Sequence, residues 1–452
     1  MESSSARNAS GLCDGDSQSP QTDGAKGLLR NLSRDISLQI VGSVVASGLM
    51  LATHLSVARL LGRELFGSLG AIQLFSQWCA AFFSFGGALT ITILAGQKRH
   101  TDKSALLGVM GIYLLILLAL TSGAVVIERQ LNLFGLGDKL DIATGVAAVA
   151  YAVLLFATES CLGLLRGSDK YIAANLFSIG HAFFIAIGAI GGALLLASDL
   201  GTLWSATLAG GLFGASTIAV ISQHWGSSLR QLGEARTIAF GPGLRNYTVQ
   251  VLEVASETFA IFYLVRMSDM EGVGALIACQ RICTIISKPA SMMSTVITGK
   301  VAGQRIGTSE SLMTLRIARL TLILGLAFSI PLLVFINQFT AISLGAEFED
   351  ASLIMALHIV GAIFRGHACA AVGLVLGAGC SSHYLRLRII ILATTVLATV
   401  GLFPLVGSTA AAISYTVTSA MLAIGIRRIV VNQARAQKTL ATLPTDALPV
   451  AA

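Results

Sequence analysis

Charge is what this sequence has least of. Only 12% of its 452 residues are Asp, Glu, Lys or Arg, about half the share usual in a soluble domain. That shortage excludes a water-soluble globule of this size, because too few polar side chains exist to coat one. Proline is scarce as well, at 7 residues, so little in the chain interrupts long helices. The 7 cysteines form no C-x-x-C pair and mostly sit in apolar runs, where they serve as small apolar filler rather than metal ligands or a redox pair. The first 24 residues are polar and lack an apolar core, which excludes a secretory signal peptide. No Walker A loop, G-x-S-x-G elbow or H-E-x-x-H pair is present, so ATP hydrolysis, serine-type acyl transfer and zinc hydrolysis have no carriers here. The chain is therefore read as not an enzyme, with no cofactor and no metal site. The net charge of +7 points to no nucleic-acid partner, because its distribution follows membrane topology.

What the sequence has in quantity is apolar length. Hydrophobic residues make up 54% of the chain and glycine contributes 47 positions; mean hydropathy is +0.79. A span needs about 20 mostly apolar residues to cross the hydrocarbon. Candidates run near 36–60, 68–95, 104–127, 142–165, 172–197, 201–223, 246–265, 273–299, 317–340, 351–377, 385–405 and 408–431. An open strand cannot satisfy its backbone in lipid, so these are helices, and the fold class is all-α, a polytopic membrane protein of about 12 transmembrane helices. With a cytoplasmic N-terminus, 22 of the 30 basic residues fall in inner segments and 5 (Arg59, Arg63, Arg129, Lys139, Arg266) on the outer side, the rest lying in spans. That bias follows the positive-inside rule and puts both termini in the cytoplasm. Every outer loop is short, which argues against an enzyme with a large external catalytic domain.

Two segments recur. Arg59-Leu-Leu-Gly-Arg-Glu-Leu-Phe-Gly67 is echoed 207 residues later by Arg266-Met-Ser-Asp-Met-Glu-Gly-Val-Gly274. Arg166-Gly-Ser-Asp-Lys-Tyr171 is echoed 213 residues later by Gly379-Cys-Ser-Ser-His-Tyr384. The offsets predict two six-helix bundles of equal orientation, related by an axis along the membrane normal. The expected organisation is a disordered cytoplasmic N-terminal tail at 1–30, bundles at 31–223 and 246–431, a cytoplasmic linker at 224–245 and a cytoplasmic tail at 432–452.

A charge at the bilayer centre costs at least ~2.5–3.5 kcal/mol on insertion scales, so the charges inside apolar runs are the candidate site. Arg281 and Lys288 lie seven apart on one helix face, and Arg365 lies near the middle of helix 10. These three are read as a cationic, substrate-binding cavity for an anionic ligand. Glu253 and Glu257, four apart on helix 7, and Glu159 on helix 4 are read as ion-coupling or charge-balancing groups. The structural alternative is pairing between helices, such as Glu257 with Arg281. His54, His181 and His358 read as packing residues.

The stretch Val57-Ala-Arg-Leu-Leu-Gly-Arg-Glu-Leu-Phe-Gly-Ser-Leu-Gly70 resembles the "A-R-x-L-G-x-x-x-F-G" signature of Wzx-like polysaccharide-biosynthesis flippases, in the MOP superfamily that also holds the MATE exporters and lipid II flippases. Leu164–Tyr171, Gly272–Arg281 and Leu344–Ala351 fit the same pattern, and the resemblance covers roughly 30–435. It implies a MATE/MOP-like fold and a flippase. Such a flippase turns lipid-linked oligosaccharide of the undecaprenyl-pyrophosphate type across the bacterial inner membrane by alternating access, for exopolysaccharide, O-antigen or capsule synthesis. Membrane lipid, a polysaccharide polymerase and a chain-length regulator are the implied partners, and H⁺ or Na⁺ coupling stays open. The alternative is a MATE-like ion-coupled exporter of drugs or other small molecules. The polar N-terminal tail is a departure from the family pattern.

Overall fold

A computed structural model describes residues 22–96, 103–168, 170–225, 243–301, 308–377 and 381–442. The first 21 residues of the expected N-terminal tail, most of the expected linker and the last ten residues lie outside the described residues. Everything described is helical apart from short turns. In chain order the helices are α1 (Thr22–Phe83), α2 (Gly87–Gly96), α3 (Lys103–Leu131), α4 (Ile142–Gly167), α5 (Tyr171–Leu196), α6 (Asp199–Trp225), α7 (Gly243–Arg266), α8 (Met270–Val301), α9 (Thr308–Val334), α10 (Ile336–Leu344), α11 (Ser352–Gly377), α12 (Ser381–Val406) and α13 (Thr409–Thr442). A 3₁₀ turn, Ala346–Ala351, precedes α11. Each of the twelve predicted apolar runs is helical. Among the described residues 9 helices are long and apolar enough to cross a membrane, or up to 10 if the bent pair α9 and α10 is one span.

Two predicted spans meet breaks that hydropathy does not show, while the predicted division between the first two spans falls at a single residue. The stretch α1 is two helices joined at Gly62, whose φ of 77° and ψ of 172° are essentially glycine-only. The second predicted span breaks again near Phe85 and Gly86, both at positive φ. The ninth bends by 86° between Val334 and Ile336. At Phe85–Gly86 and between Val334 and Ile336 the apolar run is continuous across the break, so hydropathy alone reads one element.

Contacts show that α1 folds back at Gly62. Helices α7 and α8 form a hairpin closed by the turn after Arg266. Gln39 reaches Met292 near the open end of that hairpin. Arg63 donates to the Glu271 carbonyl at its closed end, and Phe82 meets Tyr247 back at the open end. The loops predicted to share the outer face do share this closed end. Arg266 donates to the Asn132 carbonyl (2.7 Å), Ser68 donates to Asp199 (2.7 Å), and Arg63 pairs with Asp350.

The repeat has a physical counterpart at the same end. A Cβ on Gly67 would lie 2.4 Å from the Met270 carbonyl, and one on Gly274 would lie 2.1 Å from the Arg63 carbonyl. Adding 207 to 63 and 67 gives 270 and 274, so the two copies of the repeat pack reciprocally, as a pseudo-twofold axis requires. Two glycines let the helix backbones touch there. Gly188 and Gly373 make similar approaches, to the carbonyls of Ser205 and Ser294.

Gly274→Ala should therefore force α1 and α8 apart and lower the thermal midpoint in detergent, at a cost of about 1–3 kcal/mol for overpacking. An unchanged midpoint would show that the backbones are not in working contact.

Candidate functional site

The predicted charges divide into two groups with opposite character. One is an ionic network inside the second half. Glu253 and Glu257 lie on successive turns of α7. Glu257 pairs with Arg365 of α11, and Glu253 lies 3.6 Å from the same guanidinium. Glu253 also accepts from Arg388 of α12 at 2.6 Å. Arg388 further donates to the Tyr384 hydroxyl, at 2.9 Å from Nε and 2.6 Å from Nη2, and stacks near that ring. Two carboxylates thus meet two guanidiniums, and the network is neutral. Glu257's partner is Arg365, on a helix far along the chain, and the pairing with Arg281 does not form.

The network belongs to one half only. Subtracting 207 places Ala46 and Met50 where Glu253 and Glu257 stand, and subtracting 213 places Ala152 and Asn175 where Arg365 and Arg388 stand. Beside it is a small cavity of mixed lining, polar at Glu257, Gln280 and His358 and apolar at Ala260, Ile261 and Leu276, with room for about one water molecule.

The other group faces between the halves. Arg281 and Lys288 form no ion pair among the described residues. Lys288 lies within electrostatic reach of Glu159, Arg166 and Arg281, and Arg281 within reach of Tyr151 and His54. Tyr151, Glu159 and Arg166 recur at steps of eight and seven on α4, which keeps them near one helix face. This face of α4, from the first half, looks across at the Arg281 and Lys288 face of α8, from the second. Three cations stand against one carboxylate, so the column is positive by two charges. Half-buried cations without carboxylate partners at membrane depth are costly, and a buried guanidinium N–H lacking an acceptor adds about 1–3 kcal/mol. Arg166 shows that condition, since its Nε is buried and has no partner.

Sequence reasoning missed two of these groups. The sequence places Arg166 and Arg388 among the inner-side basic residues and not in the site, whereas the structure sets Arg166 on the last turn of α4, facing the column, and buries Arg388 of α12 to 2% exposure. Flanking leucines and isoleucine around Arg388 were the available signal. The histidines have packing partners. His181 bonds Thr158 (3.1 Å), and His358 donates to the Ile354 carbonyl (3.0 Å) while stacking on Tyr415.

No protein-family model and no curated protein matches the sequence. Solved structures do match the fold. One is an outward-facing multidrug-resistance MATE transporter of the MOP superfamily, with TM-score 0.68 and 15% identity over 90% of this chain and 97% of that one. A MOP superfamily transporter from Pyrococcus furiosus, described as having a binding pocket of reversed polarity that suggests a different function, aligns with TM-score 0.66 and 16% identity over 90% and 97%. The eukaryotic MATE transporter AtDTX14 aligns with TM-score 0.60 and 14% identity over 92% and 100%. The chain thus has the fold of MATE/MOP transporters and is a multi-pass membrane protein.

Proposed function

We propose that this protein is a flippase for a lipid-linked oligosaccharide carried on a polyprenyl pyrophosphate, working by alternating access in a bacterial inner membrane. The observation that carries the reading is the uncompensated positive column of Arg281, Lys288 and Arg166 between the two halves. Such a column suits a substrate whose diphosphate is negative and whose glycan is polar. Arg365, expected among the cavity cations, is tied to Glu257 and Glu253 and is assigned to the structural network instead. Those glutamates then balance charge, which leaves Glu159 as the carboxylate within the column. The division into two bundles at 31–223 and 246–431, cytoplasmic termini, and association with a polysaccharide polymerase and chain-length regulator belong to the same proposal.

Deleting the gene should abolish surface or exported polysaccharide while lipid-linked units accumulate inside. Normal polysaccharide, with no redundant flippase present, would overturn the reading. A second reading, an ion-coupled exporter of small organic cations, is favoured by the MATE structures the fold matches. The sign of the column counts against it, because a cation gains nothing from three positive side chains. The Pyrococcus protein, whose reversed pocket polarity is described as suggesting a different function, has this same fold. An unchanged panel of drug susceptibilities with and without the protein would leave the exporter reading without support.

Alternating access needs an outer end that can close, and the clamp at Arg63 supplies one. Its side chain is 14% exposed. It donates to the Glu271 carbonyl (2.8 Å), the Glu347 carbonyl (3.3 Å) and Asp350 (2.7 Å), all in the other half. A single exposed ion pair is worth little, about 0–1 kcal/mol, but three contacts from one guanidinium across the seam act together. Arg63→Ala should raise, by about threefold or more, the labelling of a cysteine placed at Arg281 by a membrane-impermeant thiol reagent applied outside. Equal labelling with and without Arg63 would show that the clamp does not hold the outer end shut.

A further inference from the structure

Resting on the flippase reading, we propose that Arg166 and Lys288 form a phosphate-binding station at the inner end of the column, separate from Arg281, and that Glu159 sets how readily the station lets go. The ligand class is a phosphate or diphosphate ester headgroup.

Three observations support the station. First, Arg166 ends α4 with a buried, unpartnered Nε. Glu159, two turns back on the same face, lies within its electrostatic reach, yet no ion pair forms between them. Its Nε–H thus lacks an acceptor among the described residues, while the side chain as a whole is only half-buried, which leaves the rest of the guanidinium open to a ligand. Second, Lys288 approaches from the opposite half and lies within reach of both groups. An anion at this point touches α4 and α8 together, so its arrival is felt by both bundles. Third, Arg281 lies seven residues from Lys288 toward the outer end of α8, about 10 Å along the axis. That is too far for one phosphate group to contact both cations closely, so the column offers two successive positions.

The charge count explains Glu159. Arg166 and Lys288 alone would present two positive charges to a headgroup that carries about two negative ones. With Glu159 beside them the station is positive by one. A transport path needs sites strong enough to fill and weak enough to empty, and a carboxylate set within reach of the cations weakens this one. Arg281, which has no carboxylate among its near groups, then draws the headgroup onward.

The test uses the full-length protein in lipid nanodiscs with inorganic diphosphate as the probe, and proteoliposomes loaded with lipid-linked saccharide for turnover. In an Arg281→Gln background, which leaves only the station to bind the probe, Arg166→Gln should weaken diphosphate binding about tenfold, the loss of one charge-assisted contact. Arg166→Lys keeps the charge and should retain affinity within about threefold, which preserves the test if the glutamine variant fails to fold. Glu159→Gln should bind diphosphate about three- to tenfold more tightly and flip more slowly. Diphosphate affinity unchanged by Arg166→Gln, or weakened by Glu159→Gln, would overturn the station. If the binding shifts appear but no saccharide lipid is flipped by any form, the station stands and the flippase reading falls. If flipping is robust and indifferent to Arg166 and Glu159, the station alone falls.

Discussion

Arg281→Gln combined with Lys288→Gln should abolish transport while the protein accumulates in the membrane at normal or raised levels. Neither cation is bound to a carboxylate among the described residues, so removing them strands nothing. Each carries an insertion penalty of at least ~2.5–3.5 kcal/mol at mid-bilayer depth, and neutral glutamine relieves most of it. The lost interactions lie with the substrate. A charge-assisted contact is worth about 1.5–3 kcal/mol, so two of them correspond to a fall of about 10²- to 10⁴-fold in transport. Loss of function with gained stability marks residues kept for a task rather than for the fold. Flux into proteoliposomes, beside melting in detergent, reads both quantities. Full transport by the double variant would remove the physical basis of the flippase proposal.

Most of the fold was legible because its causes act locally. Apolar length marks each helix, and the alternating bias of Lys and Arg assigns each loop to a face. The loops read as outer do gather at one end, where Arg63, Asn132, Arg266 and Asp350 meet. The reciprocal packing of Gly67 and Gly274 gives the 207-residue echo a spatial meaning. What escaped the sequence depends on contacts between distant segments or on turns inside apolar runs. The break at Phe85 and Gly86 interrupts an apolar run with no charge to mark it. Arg365 and Arg281 look alike as cations in apolar helices. Only the placement of α7 against α11 and α12 shows that one is neutralised and the other is not. Arg166 and Arg388 stand at the edges of apolar runs, where snorkelling to the interface accounts for a charge equally well, and only contacts between helices show what each faces.

That distinction yields a contrasting expectation for Arg388. Arg388→Ala should destabilise the protein by about 1–3 kcal/mol, because it strips half-buried Glu253 (32% exposed) of its nearest cation and the Tyr384 hydroxyl of its donor. Arg388 is 2% exposed and holds both Glu253 at 2.6 Å and the Tyr384 hydroxyl. Without it Glu253 keeps only the longer contact to Arg365 (3.6 Å), which already serves Glu257. The network would then hold two carboxylates against one guanidinium. Adding Glu253→Gln to Arg388→Ala should recover about half or more of the loss, since the stranded charge goes with it, and the non-additivity measures the coupling. Purified protein followed by melting in detergent gives these values, and the surviving double variant should still transport if Glu253 only balances charge. If it melts normally but no longer moves substrate, Glu253 takes part in coupling and its pairing with Arg388 is one state of a working cycle. Should Arg388→Ala alone melt like the wild type, the pair is not buried in the membrane-embedded protein and the division between a structural network and a transport column fails at its structural end.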